Sequence, residues 1–169
     1  MRLDGLADPR LMDEAASGVR AAMRAGTDPN DVVASVDSEL LAARRRFGVD
    51  VEAVTRAALR ELATGSPIVR GRTGFANSAE ASAPSGWTFR LQPAHRDAIR
   101  LRTLQLADRG DTPGDVVAQV QSEADAAAES AAMAVRDYCG DVVAQELKAR
   151  EFIASNPTRN GLRSRMLAS

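Results

Sequence analysis

The sequence predicts an all-α fold built from two tandem units of three helices, which an extended arm joins. The segment GTDPNDVVASVDSE at residues 26–39 returns 84 positions later as GDTPGDVVAQVQSE at residues 110–123. The register extends backwards without a gap, so that Pro9 falls on Pro93. Apolar residues around both copies recur at helical spacing. These observations indicate an internal duplication in which each copy starts a helix and buries one face of it.

The first helix of each unit is predicted to begin at a proline. Asp8 precedes Pro9 as the N-cap, and proline suits the first turn because its missing N–H would have no partner there. This helix ends at Gly26, and its counterpart covers about residues 93–109. The residues expected to face inward are Leu11, Ala15, Val19 and Ala22 in the first unit, and Ala94, Ala98, Leu101 and Leu104 in the second.

The repeated segment starts the second helix of each unit. Asp28 or Thr112 caps this helix, and Asp31 or Asp115 places a carboxylate near the free N–H groups of its first turn. Alanine takes the place of bulky residues in the second copy, so we expect neighbouring helices to approach that copy more closely. The predicted inward residues are Val32, Val36, Leu40, Ala43 and Phe47 in the first copy, and Val116, Val120, Ala124, Ala127 and Ala131 in the second.

A third helix is predicted to complete each unit. In the first unit, Asp50 is the N-cap of a helix over residues 51–63. In the second unit the helical pattern continues to residues 141–153, and Gly140 is interpreted as a break before them. The inward residues predicted for the third helix of the first unit are Val54, Ala58 and Leu62.

The chain is therefore divided into a first helical unit (1–64), an extended arm (65–91), a second helical unit (92–154) and a basic C-terminal tail (155–169). The arm is rich in small residues and has no helical period, which in a long connection indicates either a functional segment or a linker. It also contains aromatic residues that a pure spacer would lack. The residues predicted to dock on neighbouring subunits are Phe75, Trp87 and Phe89 of the arm, and Arg159, Arg163 and Arg165 of the tail.

Charge is unevenly distributed along the chain. The formal net charge is −1, so no global field would attract nucleic acid or an anionic membrane. Residues 110–151 carry three basic and nine acidic side chains, whereas the tail has no acid. Acidic and basic regions of this kind pair within one chain or between copies of a symmetric assembly. The alternative is that they are ordinary solvated faces.

The residue types that carry chemistry are sparse. His95 is the single histidine and Cys139 the single cysteine. A catalytic interpretation makes His95 a general base, Cys139 a nucleophile and Asp97 the residue that orients the base. The repeat counterpart of His95 is Leu11, so nothing marks the position as special to the duplicated unit. We therefore predict no catalytic residue, and we interpret Cys139 as a small buried apolar residue.

No metal or cofactor is predicted. A helical di-metal site needs two Glu-x-x-His motifs, which a chain with one histidine lacks. Gly65, Gly71 and Gly74 are not followed by Gly-Lys-Ser/Thr, so they do not form a phosphate-binding loop of that type. The consecutive arginines 44–46 are spread around a helical turn and are interpreted as a solvated face.

Residues 32–62 resemble a ribbon–helix–helix DNA-binding antitoxin. The similarity consists of a Val-rich stretch at 32–37, the Asp-Ser-Glu-Leu-Leu sequence at 37–41, a turn at Gly48-Val49 and the Ala-Leu-Arg sequence at 58–60. The resemblance implies a strand at residues 32–37 and an obligate dimer that reads the major groove with strand side chains. The stretch has no basic residue to contact bases or phosphates, and its second copy has a helical composition.

The function that these features favour is a non-enzymatic structural or assembly subunit that forms a homo-oligomer and docks through its arm and tail. The abundance of Ala and Arg indicates a high-GC genome. A virion component of a phage that infects a high-GC bacterium, such as a head–tail connector or capsid-associated protein, fits this character. The alternatives are a ribbon–helix–helix regulator and a helical enzyme that uses His95. We expect a cytoplasmic or virion location, without a signal peptide or membrane span.

Overall fold

The computed structural model describes residues 1–65 and 86–156, and all regular secondary structure in these two ranges is α-helical. The all-α prediction is therefore confirmed. The chain order is α1 (Pro9–Arg24), α2 (Pro29–Thr64), α3 (Pro93–Asp108) and α4 (Pro113–Ser155). None of these helices combines the length and the apolarity needed to cross a membrane.

Each helix starts where a cap and a proline occur in the sequence. The carboxylate of Asp8 accepts a hydrogen bond from the N–H of Leu11 at 2.7 Å, and that of Asp28 accepts one from Asn30 at 2.8 Å. The Thr112 hydroxyl accepts one from the Asp115 N–H at 3.2 Å. These bonds satisfy N–H groups that have no partner within the helix, which explains why Asp8, Asp28 and Thr112 begin helices. The fourth predicted cap, Asp50, lies inside α2 and begins none.

The prediction of three helices in each unit is wrong, because the second and third helices are continuous. α2 passes through Gly48 and Asp50 without interruption, and α4 passes through Gly140. A glycine in a helix costs about 1 kcal/mol relative to alanine. Burial of the apolar residues on both sides exceeds that cost: Phe47 and Val51 flank Gly48, and both are almost fully buried.

The segment that resembles a ribbon–helix–helix strand is also helical. Residues 32–37 lie in the first two turns of α2, where Val32 and Val36 are buried on one face. In a strand Ala34 would lie on the same face as Val32 and Val36, but Ala34 is exposed, as the helical spacing requires. The strand expected from the resemblance is therefore wrong.

The two halves of the described chain have matching elements. α1 and α3 each contain 16 residues, and α2 and α4 begin 84 positions apart. Both short helices are followed by a glycine with positive φ, at Gly26 (91°) and Gly110 (87°). Because this backbone region is unfavourable for residues with a Cβ atom, glycine is required at both turns into the long helices.

The buried face of α3 differs from the predicted one. Leu101 is 58% exposed, and Ala94 is exposed as well. The observed face follows the register of the repeat, because it corresponds to Leu11, Ala15 and Val19 of α1 after the shift of 84. The buried polar side chains of this face have hydrogen-bond partners. The Thr103 hydroxyl, for example, donates to the Ile99 carbonyl oxygen at 2.8 Å. The buried residues of α3 are His95, Ile99, Thr103 and Leu106.

The long helices bury most of the predicted residues. All five predicted for the start of α2, from Val32 to Phe47, are buried, as are Val54 and Ala58. Leu62, at the end of α2, is 42% exposed, so its predicted burial is wrong. In α4, Ala127 and Ala131 are only partly buried, while Ala128 and Ala132 are buried instead.

The four helices enclose one core. α2 and α4 run antiparallel, since residue 37 pairs with residue 136 and residue 44 with residue 125. α1 packs mainly on α4, and α3 packs mainly on α2. Each short helix thus lies against the long helix of the other half, and the buried residues of all four helices form a single hydrophobic cluster.

Candidate assembly interface

The last residues of the arm, 86–91, lie against α2 of the same chain. Phe89 is 2% exposed, and its ring meets that of Phe47 edge to face, with centroids 6.3 Å apart and planes at 83°. Trp87 is partly buried against the core, and its carbonyl oxygen accepts a hydrogen bond from Arg46 Nη2. These two predicted docking residues therefore contact their own core, and Phe75 lies outside the described residues.

Glycine is required at the start of this segment. Gly86 has a φ of 117°, and a Cβ atom there would lie 2.7 Å from Glu39 Oε2. A side chain would therefore strain the backbone and displace the Glu39 carboxylate. The close approach brings the arm onto α2 between Glu39 and Arg46.

His95 occupies a structural position at the start of α3. Its side chain is almost fully buried, and Nδ1 accepts a hydrogen bond from the Gln92 N–H at 3.2 Å. Nε2 therefore carries the proton and donates to the Asp4 carbonyl oxygen at 2.6 Å. Both nitrogens are engaged by backbone groups, and Asp97 is exposed on another side of the helix. The residues proposed for a catalytic triad do not share a hydrogen-bond network among the described contacts.

Cys139 is buried in the core face of α4. Burial raises the pKa of its thiol to about 11, because the thiolate is poorly solvated there. A thiol that remains protonated at neutral pH is a weak nucleophile. The interpretation of Cys139 as an apolar core residue agrees with this environment.

Much of the acidic surface of α4 is paired with arginines of the same chain. Arg102 donates two hydrogen bonds to Glu123 Oε1, at 2.7 and 3.0 Å. With smaller contributions from the amine of Met1 and from Gln119, this interaction lowers the pKa of Glu123 to about 2. Further ion pairs join different helices, namely Arg24–Glu146, Arg44–Asp125 and Arg136–Asp37.

The three consecutive arginines of α2 have three different roles. Arg44 donates to both carboxylate oxygens of Asp125 at 3.0 Å, and Arg46 binds the arm. Only Arg45 of the three is exposed to solvent. Successive residues of a helix point about 100° apart, which places the three side chains in three environments. The interpretation as a solvated face therefore fits Arg45, whereas Arg44 and Arg46 are partly buried and bind groups of the same chain.

Several large apolar side chains are exposed outside this core: a pair at the end of α4, three on the outer surfaces of the long helices, and Leu101 of α3 at 58%. Phe152 and Ile153, in the last turn of α4, are 64% and 56% exposed. Leu41 and Val49 of α2 and Met133 of α4 are exposed by 49–68% on the outer surfaces of the long helices. The predicted tail contacts Arg159, Arg163 and Arg165 follow α4 and lie outside the described residues.

No cluster of metal-binding side chains occurs in residues 1–65 and 86–156. Comparison of the chain with protein-family models, with curated proteins and with solved structures finds no match.

Proposed function

We propose that the protein is a non-enzymatic structural subunit that assembles into a homo-oligomer through the C-terminal end of α4 and the basic tail that follows it. The observation that carries the proposal is the exposure of two adjacent large apolar residues, Phe152 and Ile153, on a regular helix. Contiguous exposed apolar surface is typical of sites where another protein binds.

At the end of α4, the side of the helix that faces the core elsewhere is exposed to solvent. Ile153 lies five turns of about 3.6 residues after Val135, and therefore on the same side of the helix. Val135 is fully buried, whereas Ile153 is 56% exposed. The contact of Arg24 with Glu146 lies near the end of α1, and α4 continues for more than two turns beyond Glu146. The core-facing side of α4 thus extends past the helices that cover it.

Charge supports docking of the tail on a neighbouring copy. Residues 157–169 contain three arginines and no acid. Asp137 and Asp141 of α4 are exposed and form no ion pair with the described residues. A tail from a second subunit would add cations to this acidic surface, an interaction that becomes weaker as salt increases.

The more specific part of the proposal concerns the kind of assembly to which the subunit belongs. The equal lengths of α1 and α3 and the offset of 84 between the helix starts of the two halves support an origin by internal duplication. A subunit of a virion, such as a head–tail connector or capsid-associated protein of a phage that infects a high-GC bacterium, is the role that we propose for such an assembly. Its support is the general character of the chain: small, rich in alanine, helical, and exposing apolar residues next to a basic tail.

The test is the mass of the full chain in solution, measured by light scattering after size-exclusion chromatography. We expect a defined oligomer that dissociates when Phe152 and Ile153 are both replaced by serine, and when residues 157–169 are deleted. A matched control is Leu101→Ser, since Leu101 is exposed to a similar extent but lies on α3. A monomeric wild-type chain over the micromolar range would refute the proposal.

A further inference from the structure

The outer surface of the long helices carries two rows of exposed residues. Leu41, Arg45 and Val49 follow one another at intervals of four on α2, so they share one side of the helix. All three are exposed, and Val49 is 68% exposed. We call these three residues the α2 row. The buried side of the same stretch is formed by Leu40, Ala43, Phe47 and Val51.

The corresponding row on α4 has the opposite charge. Asp125, Glu129 and Met133 have the same spacing, are all exposed, and lie 84 positions after the three members of the α2 row. We call them the α4 row. Each row contains a large exposed apolar residue at its end, and Arg45 in one corresponds to Glu129 in the other.

The charges of the two rows are incompletely matched within one chain. Asp125 and Glu129 share Arg44, at 3.0 and 3.9 Å, and their side chains remain 61% and 59% exposed. Arg45 has no carboxylate partner among the described residues. The α4 row therefore has an excess of negative charge, while the α2 row has an arginine free to pair with it.

An open groove beside these rows provides room for side chains of another molecule. It has a volume of about 540 Å³ and lies between α2 and α4. The α2 side is formed by Leu41, Arg44 and Arg45, and the α4 side by Gln121, Ser122 and Asp125. The groove thus joins apolar, basic and acidic groups on one surface.

We propose that a second copy of this chain covers this surface, with the α2 row of each copy against the α4 row of the other around a two-fold axis. Each pairing then occurs twice, as a closed symmetric dimer requires. Arg45 lies against the acidic pair Asp125 and Glu129 of the second copy. The exposed Leu41, Val49 and Met133 lose contact with water, which adds the main favourable free energy.

Self-association is the only element that this inference shares with the proposed function, because the end of α4 and the tail form a separate surface. The charge pattern favours a second copy over an unrelated partner, since one surface contains both members of the complementary pair. A purely acidic or purely basic partner would match one row and repel the other.

The experiment uses the full chain with two single charge reversals, Arg45→Glu and Glu129→Arg. Each variant alone places like charges against each other at both contacts, and we expect its dimer dissociation constant to rise at least ~10-fold. An equimolar mixture of the two variants allows a mixed dimer, in which positions 45 and 129 carry opposite charges at both contacts. The mixture is therefore expected to regain the wild-type mass by analytical ultracentrifugation at low salt.

Arg90→Glu is the control, because Arg90 is exposed on the arm and belongs to neither row. Circular dichroism of each variant verifies that the helices are intact. The inference is overturned if both single variants keep the wild-type mass, or if the mixture remains as dissociated as its components. If the charge reversals have no effect while Phe152→Ser with Ile153→Ser dissociates the oligomer, the proposed function stands and this interface does not. A monomeric wild-type chain overturns both.

Discussion

Replacement of Phe47 by alanine tests how the arm, α2 and the core are joined. Phe47 is 1% exposed, and its ring packs edge to face on the ring of Phe89 in the arm. Truncation of a buried phenylalanine costs about 3–5 kcal/mol. The aromatic pair accounts for about 0.5–1.5 kcal/mol of this loss. For a chain of this size the melting temperature should fall on the order of 10 °C.

The assay is equilibrium urea denaturation followed by circular dichroism. Leu62→Ala is the matched control on the same helix, since Leu62 is 42% exposed and its truncation should cost less than about 1 kcal/mol. A double-mutant cycle with Phe89→Ala isolates the coupling between the two rings. If Phe47→Ala is no more destabilising than Leu62→Ala, or if the rings show no coupling, the packing of the arm on α2 is refuted.

Three other predictions concern the arm, the acid stability and the core thiol. Gly86→Ala should destabilise the chain by about 1–3 kcal/mol in urea denaturation, because residues with a Cβ atom are strained at its positive φ; an unchanged midpoint would contradict this. The pKa of Glu123 is lowered from 4.5 to about 2, so its stabilising contribution is complete above pH 4.5 and is lost as the pH falls towards 2. Glu123→Gln should reduce the free energy of unfolding at pH 7 by about 1 kcal/mol, since the ion pair is partly solvated. The same variant should flatten the stability profile between pH 4.5 and 2; parallel profiles for variant and wild type would argue against the interaction. Cys139 should react with iodoacetamide at about pH 8 on the order of 100-fold more slowly in the native chain than in urea, because burial raises its thiol pKa to about 11; equal rates would place the thiol outside the core.

The sequence is sufficient to predict the helical class, the caps Asp8, Asp28 and Thr112, and the buried face of the first half of α2. These features depend on local rules, namely a polar residue before proline and apolar residues three or four positions apart. Val32, Val36 and Phe47 satisfy both helical spacing and high apolarity, so their burial can be predicted without knowing which helix they contact.

The wrong predictions concern places where tertiary contacts outweigh local preference. Gly48 and Gly140 have the local character of helix ends, but the buried residues on both sides keep α2 and α4 continuous. On α3, apolarity favours Leu101, whereas the structure buries His95 and Thr103 because their polar atoms find backbone partners. The register of the repeat predicts three of the four buried residues, since a shift of 84 carries Leu11, Ala15 and Val19 of α1 onto His95, Ile99 and Thr103.

Candidate interface residues are harder to predict than the fold. Phe89 is expected to dock on a neighbour because it lies in an arm of small residues without helical period, yet it fills the core of its own chain. Conversely, Val49 and Met133 are not among the predicted interface residues, although they are among the most exposed apolar side chains of the described chain. Which side of a long helix remains open depends on where the other helices pack, and this information is absent from the local pattern.

The central feature of the fold is that each short helix packs on the long helix of the other half, so that both halves share one core. Two natural probes report on different parts of it: the single tryptophan, Trp87, lies on the arm against α2, and the single cysteine, Cys139, is buried in α4. Urea denaturation should be followed by Trp87 fluorescence and by Cys139 alkylation in the same samples. A shared core predicts the same midpoint for both probes. Two separate midpoints would show that the halves unfold independently and would contradict the interlocked packing.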